Sequence, residues 1–148
     1  MPILEHARKI ISLVLLTAVL SGCAATGNDR QDTLYQDLGE RSGIADIVED
    51  LLYRIVDDPR IAFQFRGMDV GQFHQNLTDQ LCELSGGPCS YTGRSMVEVH
   101  TGMNVTESQF NALAEHLILA MEKQGVSTGA QNRLLKKLIP LHPEITHL

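Results

Sequence analysis

Tryptophan is absent, and no stretch alternates apolar and polar side chains over the length of a strand, so nothing argues for a sheet. Clusters of lysine and arginine are missing too: 12 basic residues against 18 acidic ones leave a formal net charge of −6. Binding a phosphate backbone, or anionic lipid directly, needs concentrated positive charge, so neither is an expected partner. The chain has no phosphate-binding glycine loop, no Gly-x-Gly-x-x-Gly, no His-Glu-x-x-His and no Gly-x-Ser-x-Gly. Nucleotide and hydrolase functions therefore lose their usual support. There is no internal repeat, and the one strongly apolar run, Ile10 to Leu20, is too short to span a bilayer.

That run has a positive start, Arg8 and Lys9, and reads as an export signal over residues 1–22. It ends in Leu20-Ser21-Gly22-Cys23, which resembles the lipobox of bacterial lipoproteins, where the cysteine is acylated and becomes the mature N-terminus. The expectation is an exported protein, anchored to a bacterial membrane through Cys23 and facing the periplasm. Residues 23–33 are small and polar and form a tether. Residues 34–148 suffice for one compact domain with a single core. The remaining cysteines, Cys82 and Cys89, flank Gly86-Gly87-Pro88. In an exported chain a turn there favours a disulfide, with two free buried thiols as the alternative.

Helical periodicity dominates the domain. Ile44, Ile47, Val48, Leu51, Leu52, Ile55 and Val56 predict a helix capped by Ser42 and ended by Pro59. Val70, Phe73, Leu77, Leu81 and Leu84 form a second stripe after Asp69, stopped at Gly86-Gly87. Between Gly93 and Gly102 a short helix puts Met96, His100 and Met103 on one face. Thr106 and Gln109 form a capping box that opens a long helix to Gly125, with Phe110, Leu113, Ala114, Leu117, Ile118 and Met121 inward. A last helix runs from about Thr128, with Leu134, Leu135, Leu138 and Ile139 apolar, and bends or ends at Pro140 and Pro143. The fold class is all-α.

One feature of this pattern bears on chemistry: His100 lies on an apolar helix face, toward a core containing Phe65, Phe73 and Phe110. Such a pocket suits a flat apolar cofactor, although an inward histidine by itself is more often a hydrogen-bonded core residue than a ligand.

A set of motifs decides between these. Tyr35-Gln36-Asp37-Leu38-Gly39, Asp58-Pro59-Arg60-Ile61, Phe65, Asp69, Gly86-Gly87-Pro88, Tyr91-Thr92-Gly93-Arg94-Ser95-Met96, His100 and Phe110 stand in this order. From Leu34 to the C-terminus the chain resembles the group 1 truncated haemoglobins, a reduced globin fold with two helices packed on two around one haem b. The resemblance implies His100 as the proximal ligand to haem iron, through a neutral imidazole nitrogen. It places Phe65 against the haem and Tyr91, Met96 and Met103 on the proximal side. On the distal side it aligns Phe73, Asn76, Leu77 and Gln80 with gating or hydrogen-bonding positions. Where relatives usually carry a tyrosine that hydrogen-bonds the bound gas, this chain has Leu52, with Tyr53 one residue on and turned away by about 100°.

The resemblance therefore implies a monomeric haem protein that binds a diatomic gas, oxygen or nitric oxide, and holds oxygen weakly. Nitric oxide dioxygenation by analogy would need a reductant, unidentified here, and the missing tyrosine counts against it. Two alternatives remain at this level: a six-coordinate electron-transfer or redox-sensing haem protein with His74 or another side chain as sixth ligand, and a haem-free helical interaction lipoprotein.

Overall fold

The computed structural model describes residues 33–148. The export signal, Cys23 and nearly all of the tether lie outside the described residues. A short helix α1 (Leu34–Asp37) leads directly into α2 (Glu40–Asp57). The corner between them is tight: Gly39 adopts φ +80°, and a Cβ on Gly43 would lie 2.4 Å from the Leu38 carbonyl oxygen. Ser42 is not the cap expected from the sequence. It sits inside the first turn, where its hydroxyl donates to the Gly39 carbonyl, and Gly39 itself occupies the cap position. The glycine pair lets the helix begin earlier than the apolar stripe does.

The end of α2 follows the proline rule, since Asp58, just before Pro59, is extended at φ −104°, ψ 106°. A 3-10 turn (Ala62–Phe65) then reaches α3 (Val70–Leu84), whose N-cap Asp69 accepts a hydrogen bond from the Gln72 amide at 2.9 Å. Gly86, at φ +85°, follows the end of this helix. Residues 85–95 are non-helical, and α4 (Met96–His100) opens on a capping box between Ser95 and Glu98. The expected Thr106–Gln109 box opens α5 (Glu107–Lys123), and Ser127 caps α6 (Thr128–Leu138). The chain continues as a 3-10 helix (Ile139–Glu144) that carries both prolines.

The long helices form the two-over-two arrangement. Helix α2 packs against both α3 and α5, and α6 contacts α3 and α5. Its core is aliphatic: Ile44, Ile47, Val48, Leu51 and Ile55 of α2 meet Leu81, Leu117, Met121 and Leu134. Two residues read as inward, Val56 and Val70, are instead 65% and 58% exposed. Both sit on the margin of their helix's apolar stripe, near the helix end, where little remains to cover them. Among the described residues no strand occurs beyond an isolated bridge between Val105 and Thr146. Cys82 and Cys89 are joined in a disulfide with a Cα–Cα separation of 5.8 Å.

Candidate functional site

Between the layers lies a cavity of about 400 Å3 with mostly apolar walls. This is within the range of small-molecule and cofactor sites, which pair apolar walls with a few placed polar groups. Helix α3 forms one side with Phe73, Asn76, Leu77 and Gln80, and Phe65 closes the adjoining corner. The Phe65 and Phe73 rings meet edge-on, centroids 5.6 Å apart at 86°. Tyr91, Met96 and His100 line it from the chain that follows α3, and Phe110, Leu113 and Leu117 from α5.

His100 is half-buried in this wall. Its Nδ1 lies 2.8 Å from the Met96 carbonyl oxygen, one helical turn earlier. A carbonyl oxygen only accepts, so Nδ1 is the donor, and in the neutral ring the lone pair is on Nε2. The ring is thereby held as the tautomer and in the orientation that a metal ligand requires. Met96 is also tied through its side chain, since its sulfur accepts from Gln80 Nε2 at 3.3 Å. The Tyr91 hydroxyl donates to the Arg94 carbonyl at 2.7 Å, and burial pushes its pKa up against the opposing Arg94 charge. Asn76 accepts from Gln72 Nε2 through its side-chain oxygen at 2.8 Å, which orients its own amide group.

Of the residues read from the sequence, Phe65, Phe73, Asn76, Leu77, Gln80, Tyr91, Met96 and His100 come together around this cavity. Three do not. Leu52 packs beside the core while Leu51, its neighbour, lines the cavity: a shift of one residue along a helix rotates the side chain by about 100°. Tyr53 is 64% exposed on the far side of α2. Met103 leaves the face of His100 because α4 stops at His100 and the chain turns at Gly102, φ +84°. Its carbonyl instead accepts from Gln64 Nε2 at 3.3 Å. His74 is also outside the lining, with Nε2 bonded to the Ala45 carbonyl at 3.1 Å. That bond engages the ring away from the cavity, so the geometry gives no support to His74 as a second axial ligand.

The sequence reading missed the wall formed by the C-terminal 3-10 helix. Ile139, His142 and Ile145 all line the cavity. Their spacing of three is the repeat of a 3-10 helix, in which i and i+3 eclipse, and is the signal that a search for 3.6-residue periodicity passes over. The His142 ring stands edge-on to Phe110, centroids 4.6 Å apart, and its Nε2 lies 2.9 Å from Glu107 Oε2.

An apolar slot in which the His100 imidazole is engaged at Nδ1 by a backbone carbonyl fits haem: flat apolar walls for the macrocycle and, in the neutral ring, Nε2 for the iron. The comparisons with known proteins agree. The family model described as "Bacterial-like globin" matches residues 33–147. A group 1 truncated hemoglobin from Nostoc sp. (strain MUN 8820) is 37% identical over 95 residues, covering 64% of this chain and 80% of the relative. One from Tetrahymena pyriformis is 30% identical over 108 residues, covering 73% of this chain and 89% of the relative. The crystal structure of a Tetrahymena pyriformis truncated hemoglobin in its Fe(III) form superimposes with a TM-score of 0.75 at 27% identity, covering 78% of this chain and 98% of that one. A family match that spans nearly all of the described residues, relatives of the same class and the shared two-over-two fold lead to one conclusion: the chain belongs to the bacterial-like globin family, as a haem-carrying truncated haemoglobin.

Proposed function

We propose that this domain binds a diatomic gas, oxygen or nitric oxide, at a haem whose iron is held by His100, and that Cys23 tethers it to the periplasmic face of a membrane. The observation that carries the reading is the His100–Met96 hydrogen bond, which engages Nδ1 and leaves Nε2 as the nitrogen available to a ligand at an apolar cavity wall. Haem supplies the iron to which the gas coordinates. The chain supplies the rest. His100 donates one lone pair, and the Met96 carbonyl keeps the ring from turning. Phe65, Phe73 and Leu77 exclude water from the opposite wall. Asn76 and Gln80 are the amide donors within that wall, and with Leu52 at the position where relatives are expected to carry a tyrosine and Leu51 lining the cavity beside it, they are the groups left to stabilise a bound gas.

The test is haemin titration of the purified protein. A Soret band should appear in the wild type and be lost in His100→Ala, then return when free imidazole is added. No band in the wild type would end the haem reading, and an unchanged band in His100→Ala would remove His100 from the ligand position.

A further inference from the structure

The two walls of the haem cavity are joined covalently. One wall comes from α3, whose C-terminal turn carries Cys82. The other begins with Tyr91, two residues after Cys89, and runs on to Met96 and His100. The bridge between the cysteines spans the turn at the head of the non-helical stretch 85–95. We propose that the Cys82–Cys89 disulfide is a positioning element of the haem site, and that its reduction by a dithiol lowers haem retention while leaving the helical fold intact.

Three observations carry this, and it rests on the haem reading above. First, the bridge sits on a close approach. Cys82 is fully buried, and a Cβ on Gly87 would come within 2.7 Å of its sulfur and 2.5 Å of the Tyr35 ring. The turn is therefore pressed against α3 and α1, and Gly87 donates its amide to the Cys82 carbonyl at 2.9 Å. Second, beyond Cys89 few hydrogen bonds tie the chain back to α3, and one of them, from Gln80 Nε2 to the Met96 sulfur at 3.3 Å, goes to a weak acceptor. The Tyr91 amide donates to Glu83 Oε2 at 3.0 Å, whereas the Tyr91 hydroxyl bonds within the stretch, to Arg94. Glu83 and Ser90 are exposed, so that outward hydrogen bond competes with water. Third, Cys82 lies in the domain core and Cys89 packs against it, but the contacts of α2 with α3 and α5 are made mainly by aliphatic side chains, and both cysteines keep their places there as thiols after reduction. Loss of the bridge thus loosens the wall from Tyr91 to Met96, and with it the Met96 carbonyl that orients His100, more than it loosens the fold.

The chemistry balances with a dithiol as reductant. Cys89 is half-buried and Cys82 fully buried, so the attacking thiolate reaches the Cys89 sulfur and Cys82 leaves as thiolate. The second thiol of the reductant then displaces Cys89. Two electrons and two protons pass to the protein, which ends as two thiols, and the reductant ends as a disulfide.

The experiment uses haem-loaded protein, oxidised or treated with dithiothreitol, alongside Cys89→Ser. Haem transfer to an excess of apomyoglobin, the ferrous iron–histidine stretching band and far-UV circular dichroism are recorded for each, with thiol counting to confirm the redox state. The expected result is haem loss faster by about 10- to 100-fold, the range seen when outer groups that orient a metal ligand are removed, with a shifted stretching band and unchanged helicity. Equal transfer rates and an unshifted band in the reduced protein and in Cys89→Ser would overturn the proposal. So would a collapse of helicity on reduction, which would make the bridge a general stabiliser. A wild type that takes up no haem at all would instead be a failure of the haem reading.

Discussion

At the scale of single residues, the site depends on which atom of a side chain is already engaged. His100 and His74 are both half-buried histidines bonded to backbone carbonyls, yet they use opposite ring nitrogens. His100 bonds through Nδ1 to its own helix and keeps Nε2 for the cavity, whereas His74 has Nε2 committed to α2. The same reasoning applies to the amides. Gln80 lines the cavity and lends its Nε2 only to a thioether, a weak acceptor from which it is readily recruited. Gln80→Leu should speed oxygen release from the ferrous protein roughly tenfold, the effect of losing one neutral hydrogen bond. Stopped-flow displacement by carbon monoxide measures this, and an unchanged rate would remove Gln80 from the gas-binding wall.

Asp58 makes the corresponding point for stability. Its carboxylate accepts from Arg60 Nε at 2.8 and 3.0 Å and lies 2.7 Å from His116 Nε2, while Arg60 reaches on to Glu115 at 3.2 Å. The Arg60 hydrogen bonds, against the opposing effect of burial and with help from the Arg60 amide and His116, hold the Asp58 carboxyl well below its ordinary pKa. A depressed carboxyl contributes stability that is present above its unfolded value of 3.8 and lost as pH falls toward its folded value. Asp58→Asn should therefore be less stable than wild type at neutral pH and show a flatter loss of stability in acid, as urea unfolding at a series of pH values would show. Parallel pH curves for the two proteins would contradict this.

At the scale of elements, the helices were legible where caps and periodicity agree and illegible where a turn intervenes. Asp69 and the Thr106–Gln109 box stand where the sequence puts them because capping is local, three residues reaching back to one. Ser42 looked like a cap by the same rule. Gly39 and Gly43 override it by permitting a corner too close for any side chain. Gly43→Ala should destabilise the domain by about 1–3 kcal/mol through that clash. The urea midpoint would fall with the m-value unchanged, and an undiminished midpoint would mean that the α1–α2 corner yields without cost. Met103 was misplaced for a related reason, since α4 is a single short helix and the chain reverses at Gly102 before the next turn can form.

At the scale of the whole molecule, the fold brings together groups far apart in sequence. The loop after His100 is held by the C-terminus: the Gly102 and Asn104 amides donate to the Leu148 carbonyl at 3.2 and 3.0 Å, and the His147 amide to Val105 at 3.0 Å. The last residues therefore brace the segment that follows the proposed iron ligand. The proposed membrane attachment also belongs to this scale, because a globin domain of this acidity has no basic surface cluster to reach anionic lipid by itself. Cys23→Ala should move the exported protein from the membrane fraction to the soluble fraction. Retention in the membrane fraction would require another anchor.

The sequence by itself determined the all-α class, the helix starts marked by caps, the apolar stripes and, through the Gly-Gly, Tyr-x-Gly, Met and His run, the family and its candidate ligand. These are local properties, fixed by backbone sterics, capping and the 3.6-residue repeat. Tertiary structure alone decided which of Leu51 and Leu52 faces the cavity, that His74 turns away from it, and that His142 turns toward it. Each depends on how an element is rotated against its neighbours, a quantity that packing sets to within one residue's turn and that periodicity, with its broad apolar stripe, leaves open.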